Sequence, residues 1–117
     1  MGDVESYEKL ITKALEIEPE NTDLHFNLGV ISSDKGDIDK AMYHYNKAIE
    51  IDPSNIKALY NLGCAYNKLG EKEKGIYYFK KAIKINPDYY KARYNLSLYQ
   101  LATDDYKNGW ITYESRK

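Results

Sequence analysis

A chain of 117 residues, 43% hydrophobic and 30% charged, suits one soluble domain and excludes the disordered and membrane classes. No apolar run approaches the ~20 residues of a membrane span, residues 1–10 lack the apolar stretch of a secretory leader, and the lone Cys64 fits a reducing cytosol, so a cytoplasmic location is expected. The net charge of −1 hides a split: residues 1–55 carry twelve acidic and five basic side chains, residues 56–117 six acidic and twelve basic, which points to an oriented partner surface or end-to-end contact rather than to nucleic acid.

The prolines set the frame for the elements. Pro19, Pro53 and Pro87 are evenly spaced, closing the phrases Ala14-Leu15-Glu16-Ile17-Glu18, Ala48-Ile49-Glu50-Ile51-Asp52 and Ala82-Ile83-Lys84-Ile85-Asn86. Proline cannot continue a helix and displaces its predecessor from helical geometry, so each phrase is a helix end. A second phrase keeps the same period: Phe26-Asn27-Leu28-Gly29, Tyr60-Asn61-Leu62-Gly63 and Tyr94-Asn95-Leu96-Ser97.

In chain order, the pattern predicts a helix over 4–17, pairs over 22–34 with 38–51 and 56–68 with 72–85, and a last pair over 90–102 with 106–116. In the 56–89 unit, Ala58, Leu62, Ala65, Tyr66 and Leu69 form an apolar stripe at helical spacing that Gly70 ends. Ile76, Phe79, Ala82 and Ile83 form the facing stripe. In the last unit the turn reads Thr103-Asp104-Asp105, with Asp104 or Asp105 as the expected N-cap.

This arrangement resembles the tetratricopeptide repeat family, whose 34-residue helix–turn–helix units carry Leu-Gly, Ala, aromatic, Ala and Pro at set offsets. Leu28-Gly29, Gly36, Ala41, Tyr45, Ala48 and Pro53 fit the first unit, and Leu62-Gly63, Tyr66, Gly70, Gly75, Phe79, Ala82 and Pro87 the second. The third keeps Leu96, Tyr106, Gly109 and Tyr113. The resemblance implies an all-α, right-handed α-solenoid of antiparallel helix pairs, about seven helices in one domain: a half repeat over 1–21 and repeats over 22–55, 56–89 and an incomplete 90–117. Gly29 and Gly63 are then small where helices approach closely, Ser32 replaces the aromatic that Tyr66 supplies, and stacked neighbours together build the core.

The resemblance also implies a function: protein–protein interaction through a concave groove lined by the first helices. Carried over by position, the groove residues are Phe26, Asn27, Val30, Tyr60, Asn61, Cys64, Tyr94, Asn95 and Leu98, with Asp23, Lys57 and Lys91 on one margin and Asp34, Lys68 and Ala102 at the helix ends. Phe26, Tyr60 and Tyr94 are expected on a solvent-facing wall where the core needs no aromatic, and the three asparagines can serve either a peptide or the scaffold. The clamp with which some family members hold acidic chaperone tails is not expected. Asn61 and Lys91 match it, but Phe26, Val30 and Asn95 stand where Lys, Asn and Arg are needed.

No nucleotide-binding or metalloprotease motif occurs, His25, His44 and Cys64 lack ligand spacing, and both histidines read as helix-surface residues. Neither catalysis, nor a cofactor, nor a metal is expected. Two further readings stand beside the groove. The chain ends can mediate self-association, since the half repeat lacks its own first helix and its strip of Leu10, Ile11, Ala14 and Leu15 is expected to have a partner on one side alone. The run Gly109-Trp110-Ile111-Thr112-Tyr113-Glu114-Ser115-Arg116 resembles the last repeat of bacterial arrays that precede glycosyltransferase-like domains, which implies a docking region of a larger enzyme.

Overall fold

The computed structural model describes the backbone of residues 2–107 and the side chains of residues 4–98. Six helices occupy the described residues: α1 (Gly2–Ile17), α2 (Thr22–Asp34), α3 (Ile38–Ile51), α4 (Ile56–Lys68), α5 (Lys72–Ile85) and α6 (Tyr90–Lys107). Helices α2 to α5 begin and end where the sequence pattern places them.

Local chemistry accounts for those boundaries. Asn21, Asp37 and Asn55 each accept a hydrogen bond from a backbone N–H three residues on, satisfying a donor that the first turn leaves unpaired. Glu71 precedes α5 without such a bond. Gly36 and Gly70 take φ of +87° and +83°, the left-handed turn that ends α2 and α4 within each pair. Asp104 stands where those glycines would recur, and there the outcome differs from expectation. Helix α6 runs through Thr103-Asp104-Asp105 to Lys107, because no residue at that turn favours positive φ. The remainder of the expected 106–116 helix, with Gly109 and Tyr113, lies outside the described residues.

Each helix packs on the next, so the core is built in series. Ile11 of α1 meets Leu28 and Ile31 of α2; Ala41 and Tyr45 of α3 meet Leu62 of α4; Leu59, Phe79, Ala82 and Ala92 join α4, α5 and α6. The result is an all-α solenoid of helix pairs, elongated at 58 × 28 × 19 Å. Of the expected stripes only Leu69 is exposed, at the α4 cap.

The glycines expected at close approaches are at close approaches. A Cβ on Gly29 would stand 2.4 Å from Tyr45 Cε1. One on Gly63 would stand 2.8 Å from Phe79 Cε1 and 3.0 Å from the carbonyl oxygen of Gly75. The pairs are also tied to one another by polar links, since Thr22 donates to the Ala48 carbonyl at 2.9 Å and accepts from Asn55 at 3.2 Å. No helix among the described residues is long and apolar enough to cross a membrane.

Candidate functional site

The first helices of the pairs, α2, α4 and α6, carry the groove residues. The wall is less open than its sequence suggests. Phe26 and Tyr60, at equivalent positions of successive repeats, are both half-buried. The Phe26 ring lies 5.9 Å from that of Tyr45, and the Tyr60 ring lies 5.5 Å from Phe79 and meets Tyr89 edge-on at 5.7 Å. The large ring that each glycine admits spreads under the groove and gives the wall aromatic a partner. Both residues therefore belong partly to the core. Tyr94, at the same register, is 66% exposed; its counterpart Tyr113 lies outside the described residues.

The asparagines divide in the same way. Asn61 donates to the Tyr45 hydroxyl at 3.4 Å, and Asn95 donates to the Tyr60 hydroxyl at 2.9 Å and to the Lys91 carbonyl at 2.9 Å. Asn95 turns to Tyr60 because the register mate of Tyr45 is Phe79, which has no hydroxyl to offer. On α1 the corresponding residue is Ile11, and Asn27 makes no side-chain hydrogen bond among the described residues.

Four groove residues converge. Val30, Asn61, Cys64 and Lys68 line a hollow of about 170 Å³ together with Ser33, Asp34, Tyr45 and Ala65. Burial raises the Cys64 thiol above its ordinary pKa, opposed by a hydrogen bond with Tyr60 and by the charges of Lys68 and Lys91, so it rests as an unactivated thiol. Burial likewise pushes the Tyr60 hydroxyl up to about 12, with Cys64 adding to the effect. Farther along, Lys91, Tyr94 and Ser97 border an open hollow of about 620 Å³ with Tyr90 and Arg93. Lys57 and Leu98 are exposed. Among the described residues no group of three or more His, Cys, Asp or Glu is placed to hold a metal ion.

Family models described as tetratricopeptide repeat match residues 10–43 and 56–89, and one described as TPR repeat matches residues 33–70. The chain belongs to the tetratricopeptide repeat family. Similar solved structures include a mutant of the O-GlcNAc transferase of Thermobaculum terrenum, at 30% identity and a TM-score of 0.76 over 83% of this chain. YrrB, described as a TPR protein with an unusual peptide-binding site, is 27% identical with a TM-score of 0.73 over 79%. The MamA protein is 28% identical with a TM-score of 0.67 over 75%. The chain spans 19% of the transferase, 47% of YrrB and 48% of MamA. None of the curated proteins matches it.

Within this tetratricopeptide array the histidines correct their sequence reading. His25 of α2 and His44 of α3 are not on the surface; they are 9% and 8% exposed, with Nδ1 atoms 3.2 Å apart. His25 Nε2 lies 3.0 Å from the Pro19 carbonyl, which can only accept, so that nitrogen carries the hydrogen. In the neutral ring Nδ1 then accepts, and His44 Nδ1–H donates to it. Burial lowers the His44 pKa to about 4, helped by the charges of His25 and Lys40. The signal lay in the register, because in the next repeat His25 and His44 become Leu59 and Tyr78, both packed in the α4–α5 pair.

Proposed function

We propose that this tetratricopeptide domain is a protein-interaction scaffold that holds an extended segment of a partner along the concave strip of α2, α4 and α6. One observation carries the reading: Val30, Asn61, Cys64 and Lys68, from two successive first helices, converge on a single hollow. Asn61 retains a carboxamide oxygen and one N–H for a backbone after its bond to Tyr45, and hydrogen-bonding side chains above half-buried rings suit a peptide main chain. YrrB, similar over 79% of this chain, is described as having a peptide-binding site, which supports the same class of ligand.

The test is to select binders from a random dodecapeptide display library against the whole chain and map them by hydrogen exchange. Protection is expected on α2, α4 and α6. Protection confined to the outer faces of α3 and α5 would overturn the groove assignment.

Two other readings have observations behind them. Val4, Tyr7, Leu10 and Ile17 of α1 are exposed apolar side chains beside the acidic half of the chain, which favours contact with the basic half of a second copy. Sedimentation at several concentrations and two salt levels tests this, and a monomer throughout refutes it. The likeness to the transferase, at 30% identity, favours a docking arm of a larger glycosyltransferase-type enzyme. The reading frame around the coding sequence decides that point.

A further inference from the structure

The charges along the groove are sorted by helix. Helix α2 carries Asp23 and Asp34 and no lysine or arginine; α4 carries Lys57 and Lys68 and no carboxylate; α6 over residues 90–98 carries Lys91 and Arg93 and no carboxylate. At equivalent positions of successive repeats the sign reverses, from Asp23 to Lys57 and Lys91, and from Asp34 to Lys68. Asp34 and Lys68 border the same hollow without pairing with each other. Lys68 borders that hollow beside Cys64, and Lys91 borders the next hollow with Tyr94.

Asp23 and Lys68 suit their helix ends and Arg93 donates to the Pro87 carbonyl, but Lys57, Lys91 and Asp34 do not serve the fold. Lys57, Lys68 and Lys91 are exposed and make no ion pair among the described residues, as also holds for Lys9, Lys13, Lys72, Lys80, Lys81 and Lys84 outside the groove, so what sets the groove charges apart is their sign by helix and not their lack of a pair. Lys57 and Lys91 sit in the first turns of α4 and α6, and Asp34 ends α2. All three oppose the helix dipole, which favours anions at the N-terminus and cations at the C-terminus. A charge that neither pairs nor suits its helix end is available to a partner.

Resting on the groove reading, we infer that the partner segment is itself charge-sorted: acidic residues over α4 and α6, basic residues over α2, so that it lies in one direction only. The reversed segment would set like charges against each other at both ends of the strip, a repulsion that selects direction as well as sequence.

Dodecapeptides selected as above provide the probe. The enriched sequences should segregate Asp and Glu into one half and Lys and Arg into the other. The triple variant Lys57→Glu, Lys68→Glu, Lys91→Glu should melt close to the parent chain, since the two new carboxylates at helix N-termini offset the one at the C-terminus of α4. It should bind the selected peptides at least about tenfold more weakly and enrich peptides whose middle is basic. Enriched peptides without charge segregation that still protect α2, α4 and α6 would overturn the charge sorting and leave the groove standing. Recovery of no peptide, or protection only on α3 and α5, would overturn the groove reading and this inference with it.

Discussion

The α2–α3 and α4–α5 pairs follow the same period and differ inside. Where α4–α5 stacks Tyr66 on Tyr78, with ring centroids 5.6 Å apart and planes inclined by 8°, α2–α3 has Ser32 and His44. Where α4–α5 buries Leu59, α2–α3 buries His25. One pair is closed by apolar and aromatic packing. The other is closed by a hydrogen bond between imidazoles and leaves the Ser32 hydroxyl, 1% exposed, without a partner among the described residues. The same backbone register thus tolerates two kinds of core, one indifferent to protons and one sensitive to them.

The largest expected effect breaks the apolar pair. At Gly63 a side chain meets the backbone carbonyl of Gly75 as well as the Phe79 ring, and a carbonyl held in a helix cannot move aside. Gly63→Leu should cost about 3 kcal/mol or more and lower the melting of the flanking helices too, because each pair is stabilised by its neighbours. Native-like melting of that variant would refute the close-approach role.

The polar pair should be weakened by acid. The folded pKa of His44, about 4, lies below its ordinary 6.5. Between those values the unfolded chain binds a proton that the folded chain does not, so this contribution falls as pH drops from 6.5 to 4 and is constant below. The loss is on the order of 3 kcal/mol. His44→Tyr, which installs the residue found in the second pair, should flatten the parent's stability profile over that window. Parallel profiles for the two proteins would show that His44 does not titrate in this way.

Smaller effects sharpen the contrast. Tyr66→Ser copies Ser32 into the second pair and should cost about 1–2 kcal/mol in chemical denaturation, through the lost stack and area. An unchanged midpoint would mean that the stack contributes nothing. Ser32→Ala removes a hydroxyl desolvated without a partner and should stabilise by up to about 1 kcal/mol. A clear loss of stability would reveal a hydrogen bond that Ser32 makes through solvent.

Which residues of the expected groove are neighbours was legible, and how exposed they are was less so. Val30, Asn61, Cys64 and Lys68 do meet around one hollow, because helical register alone dictates which residues of successive first helices are neighbours. Phe26 and Tyr60 are half-buried where the pattern predicts an open wall, because their exposure depends on Tyr45 and Phe79, whose rings reach the groove only through the space at Gly29 and Gly63. Likewise Asn95 bonds to Tyr60 because Phe79 lacks a hydroxyl, a choice made across two helices.

By itself the sequence determined the helices and their period. Prolines, positive-φ glycines and N-cap side chains act within a few residues of the bond they make or forbid, so their effect can be read in place. The expected turn at Thr103-Asp104-Asp105 shows the limit, because polar residues permit a turn but without a residue favouring positive φ they do not enforce one. The tertiary structure alone decided which polar side chains face inward. A buried histidine or an engaged asparagine is defined by a partner 16 to 35 residues away, and only the packing of one helix on the next brings that partner within bonding distance.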